Sequence, residues 1–414
     1  MPLLFAIVVG FAFLSSEAAE LWGLERLRMP AFLAVFGALL LGAVLRDPRL
    51  RPSDGRTPAL LALLLALILA ADAVQGEVDP VDYKVALVLP LLLFAPNLAR
   101  ALEEHDPAGL VWRLLTVYVL GTALLAVWFA PDFLLRGRPD LARVDFSGSL
   151  VAHAGLCVVY LLVTLAKIEW ATRPLAAVGQ LALAGLAAVS LLLTGTRTAL
   201  VTCGIYGALD VAAADRPSER LARFAPALLG ALVVLTGYTL LISDDFLERL
   251  LPGGSEDWSS GRAVSQLHWL ASVLDQPLGL GFGFVRERLA DGRPALDGTQ
   301  LLEWPHNEPL RFFVEAGPGG FIFLGLLLGH LLRLAVRAAS GESRPLPRAT
   351  MLAIAADMLA QSLFQNYFNS VYYATGLLVV LVTLAASVEE RRLHAASCRR
   401  SSAHDELPGS AATA

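Results

Sequence analysis

PLAAVGQLALAGLAAVSLLLTGTRTALVTCGIYGALDVAA, residues 174–213, is two apolar runs joined by almost nothing. A bilayer core about 30 Å thick takes about 20 apolar residues of helix. The runs 174–194 and 197–213 each have that order of length, and only Gly195-Thr196 separates them. Backbone groups in lipid must find their partners within the segment, so helices are the spanning element. The stretch predicts a helical hairpin turning tightly at a membrane surface.

The same window, moved along the 414 residues, finds ten more runs, at roughly 2–18, 29–45, 58–75, 83–99, 109–130, 149–168, 223–242, 309–332, 348–368 and 371–388. The expectation is an all-α polytopic membrane protein of about twelve spans. Residues 1–388 form one transmembrane domain, 243–308 a large outer loop within it that contains short helices, and 389–414 a disordered cytoplasmic tail. Composition agrees: 56% of residues are hydrophobic, 17% are charged, and the mean hydropathy is +0.62. Those values exclude a water-soluble globular chain and a disordered one. No basic block with interleaved aromatics suggests nucleic acid. The three cysteines imply no disulfide framework. The N-terminal run has no basic region and no small-residue cleavage site before a soluble domain, and reads as a retained span.

Basic residues set the orientation. With the N-terminus inside, the inner joints and tail hold nineteen Lys and Arg, against seven in the short outer joints. Both termini are then cytoplasmic and the long loop is outside.

Polar groups gather on that outer face. Thr194-Gly195-Thr196-Arg197-Thr198 offers free N–H groups, hydroxyls and a guanidinium at a helix start, which suits phosphate. An arginine snorkelling from a capped turn gives the same pattern. Arg262 opens an apolar-periodic run, 262–274, containing Trp269, although a cation at a helix N-terminus opposes the dipole. Pro277-Leu278-Gly279-Leu280-Gly281-Phe282-Gly283 lacks the strand context of a dinucleotide loop. His306-Asn307 stands where the span 309–332 begins, and a histidine there can accept a proton near neutral pH. Glu303, Glu308 and Glu315 are rival bases, and an interfacial histidine bonded to its own loop is the plain alternative. Arg136, Arg138 and Arg143 are further outer-end polar groups, intramembrane His153 is a functional candidate, and Gln365, Asn366, Asn369, Tyr372 and Tyr373 either line a wet cavity or form an interfacial belt. No cluster has metal-ligand spacing, so neither metal nor cofactor is expected.

These motifs together resemble the O-antigen ligase and O-antigen polymerase superfamily. His306-Asn307, nine residues, Gly317, two residues and Gly320 reproduce the H-[NSQ]-x9-G-x-x-[GTY] pattern of the ligases. Thr194-Gly195-Thr196-Arg197 looks like the superfamily's Gly-Ser/Thr-Arg turn. Gly261-Arg262, Trp269 and 275–283 look like its loop segment. The resemblance covers roughly 150–330. It implies an inverting, metal-independent glycosyltransferase in the inner membrane with its active site facing the periplasm. The donor it implies is a glycan on undecaprenyl pyrophosphate, and the acceptor a sugar hydroxyl of lipid A–core. His306 is then the base, Arg197 and Arg262 grip the pyrophosphate, and Thr196, Asn307, Arg143, His153 and Trp269 bind substrate. Loss of one such arginine is expected to cost about 2.7–4 kcal/mol in the transition state. A polymerase extending the same lipid-linked glycan shares every one of these motifs. A transporter shares the span number, but related halves and helices broken near the midplane mark that class.

Overall fold

The computed structural model describes residues 1–13, 25–47, 56–75, 83–136, 150–168, 174–193, 196, 198–214, 262–274, 278–290, 305–365 and 367–405. The described residues are helical and contain no strand. The helices are α1 (Pro2–Phe11), α2 (Glu25–Arg46), α3 (Arg56–Gln75), α4 (Val88–Ala101), α5 (Pro107–Arg136), α6 (Leu150–Lys167), α7 (Pro174–Leu193), α8 (Thr198–Ala212), α9 (Arg262–Leu274), α10 (Phe284–Ala290), α11 (Glu308–Ser340), α12 (Pro345–Phe364) and α13 (Val371–Asp405). Short 3₁₀ turns precede α4 at Tyr83–Leu87 and α13 at Tyr367–Asn369.

Five segments are long and apolar enough to cross a membrane: Leu27–Arg46, Pro107–Leu124, Pro174–Leu191, Glu308–Ser340 and Tyr372–Cys398. Five shorter apolar helices stand with them, namely Pro2–Phe11, Arg56–Ala71, Val85–Ala101, Val151–Lys167 and Thr198–Ala212. The expected run 223–242 lies outside the described residues. Leu41, Leu45, Leu63, Leu67, Val117 and Leu124 point outward from α2, α3 and α5. Large apolar side chains exposed on helices of this length and composition fit a helical membrane protein.

α12 and the first half of α13 form the centre. Every residue from Pro347 to Asp357 is buried, and so are most from Tyr373 to Val388. α12 contributes Ala349, Thr350, Ala353, Ala355, Ala356 and Ala360, small side chains that let helix backbones approach closely. α8, α6, α11 and α13 all pack on it.

α11 is not the single straight span that the sequence suggests. Ala316 (φ −128°, ψ 17°) and Gly317 (φ 59°, ψ −157°) break it. The part after the break, 318–340, is about 35 Å long at 1.5 Å per residue, enough to cross a bilayer core. The nine residues before it, 308–316, form a separate short helix against α9 and α10.

The opposite end of the bundle is tied by ion pairs. Arg348 reaches Asp210 Oδ1 at 3.0 Å and donates to the carbonyls of Ala213 (3.0 Å) and Ala339 (2.8 Å), joining α8, α11 and α12. Arg100 of α4 pairs with Asp47 and, at 2.6 Å, with Glu390 of α13. Arg337 pairs with Glu389 at 2.9 Å. These contacts tie the first residues after Val388 to α4 and α11, and α13 continues to Asp405, where the sequence suggests a disordered tail. Burial favours the neutral form of Glu342, but Arg344 and Arg391 beside it outweigh burial and hold its carboxyl below the usual value of 4.5. A depressed folded value contributes stability above the unfolded value and loses it as pH falls through the folded one. Glu342→Gln should therefore lower the thermal midpoint at pH 7, and the difference from wild type should shrink as pH is taken below 4.5. Parallel melts at several pH values check this, and a constant difference refutes the assignment.

Candidate active site

His306 sits where three elements meet. Its neighbour Pro305 accepts a hydrogen bond from Gln266 Nε2 of α9 at 3.0 Å. Asn307 caps α11: its Oδ1 accepts from Leu310 N at 2.9 Å, satisfying one of the free donors of a helix start. The same amide donates to the carbonyl of Leu363, at the end of α12, at 3.1 Å. Glu308 Oε1 accepts from the backbone N–H of Phe368, in the 3₁₀ turn, at 2.7 Å. Three of the four residues 305–308 are thus fixed, from three directions, with His306 between them.

The clamp forces an unusual backbone. His306 has φ of 47°, and it is the one non-glycine with positive φ among the described residues. Such a conformation costs of order 1–3 kcal/mol and persists only where the surroundings over-determine it. Its side chain is half-buried. Asn307 thereby has a structural role as a cap that also tethers α12.

Behind His306 lies a buried charge cluster. Glu308, Arg311 and Glu315 are 0%, 6% and 3% exposed. Arg311 Nε is 2.9 Å from Glu308 Oε2 and 3.8 Å from Glu315 Oε2, one helical turn to either side. Its guanidinium also lies over the Phe312 ring, 5.2 Å from the centroid. Among the described residues these two carboxylates and this guanidinium share a dry site, and i, i+3 and i, i+4 spacing brings them onto one face.

The glycine-rich loop closes the far side. Leu280 N donates to Val314 O and Gly281 N to Glu315 O, each at 2.9 Å. These are carbonyls at the end of the short helix 308–316, orphaned where Gly317 breaks the ladder. The loop thus acts as an external cap, and it joins α9 to α10 while doing so. Trp269 completes the attachment. It is 1% exposed and packs with Val273, Val285 and Val314. This residue, expected to bind substrate, is placed inside the small core that holds α9 and α10 on α11.

The Thr-Gly-Thr-Arg turn reaches the same end of the bundle through Thr198. Its buried hydroxyl accepts from Gln365 Nε2 at 3.2 Å, two residues beyond the Leu363 carbonyl that binds Asn307. Thr196 is half-buried, and its carbonyl accepts from Ala199 N at 3.4 Å. Thr194, Gly195, Arg197, Arg143 and Asn366 lie outside the described residues. Arg262 opens α9, and only its backbone is described.

His153 belongs to a second polar cluster. It is 2% exposed, with Nδ1 2.7 Å from Tyr118 Oη and Nε2 3.0 Å from Ser190 Oγ. On the α12 side of α6, Gln361 Nε2 reaches the carbonyl of Val151 (3.3 Å), Asp357 Oδ1 (2.9 Å) and Tyr373 Oη (3.0 Å), while Tyr373 donates to Asp357. Sequence reasoning passed over Asp357, Gln361 and Arg311. A carboxylate in an apolar run is a signal in its own right, because it must be paired there.

These parts provide a proton acceptor on a rigid backbone, a buried charge cluster behind it, and two further segments tied to the same end of the bundle. No protein-family model matches the sequence, and no curated protein is significantly similar to it.

Proposed function

We propose that the chain is a membrane-embedded glycosyltransferase of the O-antigen ligase type, working at the outer face of the inner membrane. In this reading it crosses the membrane about twelve times with both termini in the cytoplasm. It moves a glycan from undecaprenyl pyrophosphate to a sugar hydroxyl of lipid A–core. One observation supports this best: hydrogen bonds through Gln266, Asn307 and Gln365 tie the three motif segments to one end of the bundle.

The chemistry follows from those parts. The acceptor hydroxyl attacks the anomeric carbon while the bond to the pyrophosphate oxygen breaks, with inversion. His306 takes the hydroxyl proton. Arg197 and Arg262 stabilise the charge that grows on the leaving pyrophosphate, as bidentate donors do. The strained, tethered backbone of His306 keeps the imidazole fixed, so that little reorganisation is needed when the proton moves.

The test is purified protein in lipid nanodiscs with a lipid-linked oligosaccharide and lipid A–core, the product being identified by mass spectrometry. Glycosylated lipid A–core supports the ligase reading. A longer lipid-linked glycan makes the protein a polymerase, and transport without any glycosyl product overturns both. His306→Ala should lower the rate by about 10²–10⁴-fold, the usual contribution of a positioned base. Arg197→Lys should also fall, because a point charge does not replace a planar fork.

A further inference from the structure

α9 is apolar on two opposite faces, and the protein uses one of them. Ser265, Trp269 and Val273, spaced four apart, form the buried face, and Trp269 and Val273 fasten the helix to Val285 and Val314. The other face carries Val264, Leu267, Leu270 and Ala271. Leu267 is 66% exposed and Leu270 43%. Arg262, at the first position, is the helix's one Asp, Glu, Lys or Arg. Leu278, just beyond the helix, is 74% exposed as well. A helix whose opposite faces are both apolar is stable where both are kept from water.

The fold sets the height of α9 against the neighbouring span. The bonds from Leu280 and Gly281 to the carbonyls of Val314 and Glu315 hold the loop after α9 level with the break in α11, where 318–340 begins. Phe313, before the break, packs against the core around Trp269 and meets the Phe321 ring edge-on, with centroids 6.3 Å apart. Phe321 and Ile322 are each 52% exposed. They stand four and five residues beyond Gly317, about 6–8 Å along the helix. The core that holds α9 is thus continuous with the exposed apolar side of a membrane-crossing segment.

We infer that α9 lies on the bilayer surface at the level where α11 breaks, with Leu267 and Leu270 inserted among the lipids. The side chains of Val264, Leu267, Leu270 and Ala271 have no donor or acceptor, so a polar partner finds nothing to hold. Lipid is already the neighbour of the adjoining span. An interfacial helix buries its apolar face about 5–10 Å into the boundary between headgroups and acyl chains, the depth that Phe321 and Ile322 mark on α11. His268 and Ser272 stand at the margin of the face, where headgroups begin. The helix that starts at Arg262 is then held from both sides, by the protein through Trp269 and by the membrane through Leu267.

The test puts the photo-crosslinking residue benzoylphenylalanine in place of Leu267, and separately Leu270, in the full chain in phosphatidylcholine nanodiscs. The same replacement of Phe321 is the reference. Mass spectrometry should find phospholipid adducts at 267 and 270 in a yield close to that at 321. Cross-links to a second copy, cross-links to another segment of the chain, or no adduct at either position each overturn the inference. Leu267→Asp with Leu270→Asp is the second probe. Both side chains are exposed, so the core around Trp269 stays whole. Charges are costly in lipid and should lift the helix, so hydrogen exchange across 262–283 should rise in nanodiscs. Exchange equal to that of wild type also overturns the inference, because charges are harmless on a face already in water.

Discussion

Arg311→Met should cost the folded protein about 3–5 kcal/mol, the usual price of removing one partner from a buried ion pair. Exposed pairs are worth at most about 1 kcal/mol, so burial decides the magnitude. Arg311 is 6% exposed and the carboxylates it serves are 0% and 3% exposed. Without the guanidinium, Glu308 and Glu315 lose the ion-pair partner that they share among the described residues, in a dry site. Glu308 is also committed to Phe368 N, at 2.7 Å, so it cannot turn away without releasing the turn before α13. Removing one negative charge should therefore rescue part of the loss: Arg311→Met with Glu315→Gln should be more stable than Arg311→Met alone. Arg311→Lys should fall between, since it keeps charge and loses the planar fork. Thermal unfolding in one detergent, for all four proteins, reads this directly. A methionine variant as stable as wild type shows that the cluster holds nothing together, and a double variant no better than the single shows that charge is not the cause.

The two helices on either side of Gly195-Thr196 were legible from their length and apolarity, ending at Leu193 and restarting at Thr198, but α7 packs mainly on α6 and α8 mainly on α12, so the expected hairpin pairing is not what positions them. The break in α11 was not read, because apolar periodicity runs straight through it and 309–332 looks like one span. Pro318 pushes the residue before it out of the α region, and Gly317 is the residue that tolerates what remains. Trp269 could not be resolved from sequence. An aromatic in an amphipathic helix stacks on a ligand or fills a core with the same spacing, and only the approach of Val285 and Val314 shows which. Residues 389–405 misled for a related reason. The first two of them, Glu390 and Glu389, pair with Arg100 and Arg337, 290 and 52 residues away in the chain, and single-segment reasoning cannot see such partners. Arg311 was hidden by the motif itself, which draws the eye to His306 and Gly317.

Gly279→Ala should detach the loop 278–283 from α11 while leaving the centre of the bundle intact. Gly279 has φ of 95°, a region that a side chain disfavours. A Cβ there meets Glu315 O at 2.5 Å, Gly317 N at 2.7 Å and Ala316 Cα at 2.8 Å. All three are backbone atoms at the helix break, and none can swing aside as a side-chain tip can. The loop must move, and the hydrogen bonds from Leu280 and Gly281 go with it. Two such bonds are worth about 0.5–1.5 kcal/mol each, and backbone strain adds about 1–3 kcal/mol. Gly319 is the control. A Cβ there touches only Ile68 Cγ1, at 3.8 Å, so Gly319→Ala should be neutral or slightly stabilising. Hydrogen exchange should rise across 262–290 in Gly279→Ala and stay at the wild-type level across α12 and the first half of α13. Uniform loosening would mean that the loop is part of the global fold, and no change would mean that the loop does not rest on the break. The distinction bears on the site, because α9 starts at Arg262 and steadies Pro305 through Gln266. A protein that keeps its bundle but frees α9 should keep His306 and lose the segment that positions its partner. Its transfer rate should then fall well below that of Gly319→Ala although both proteins remain folded.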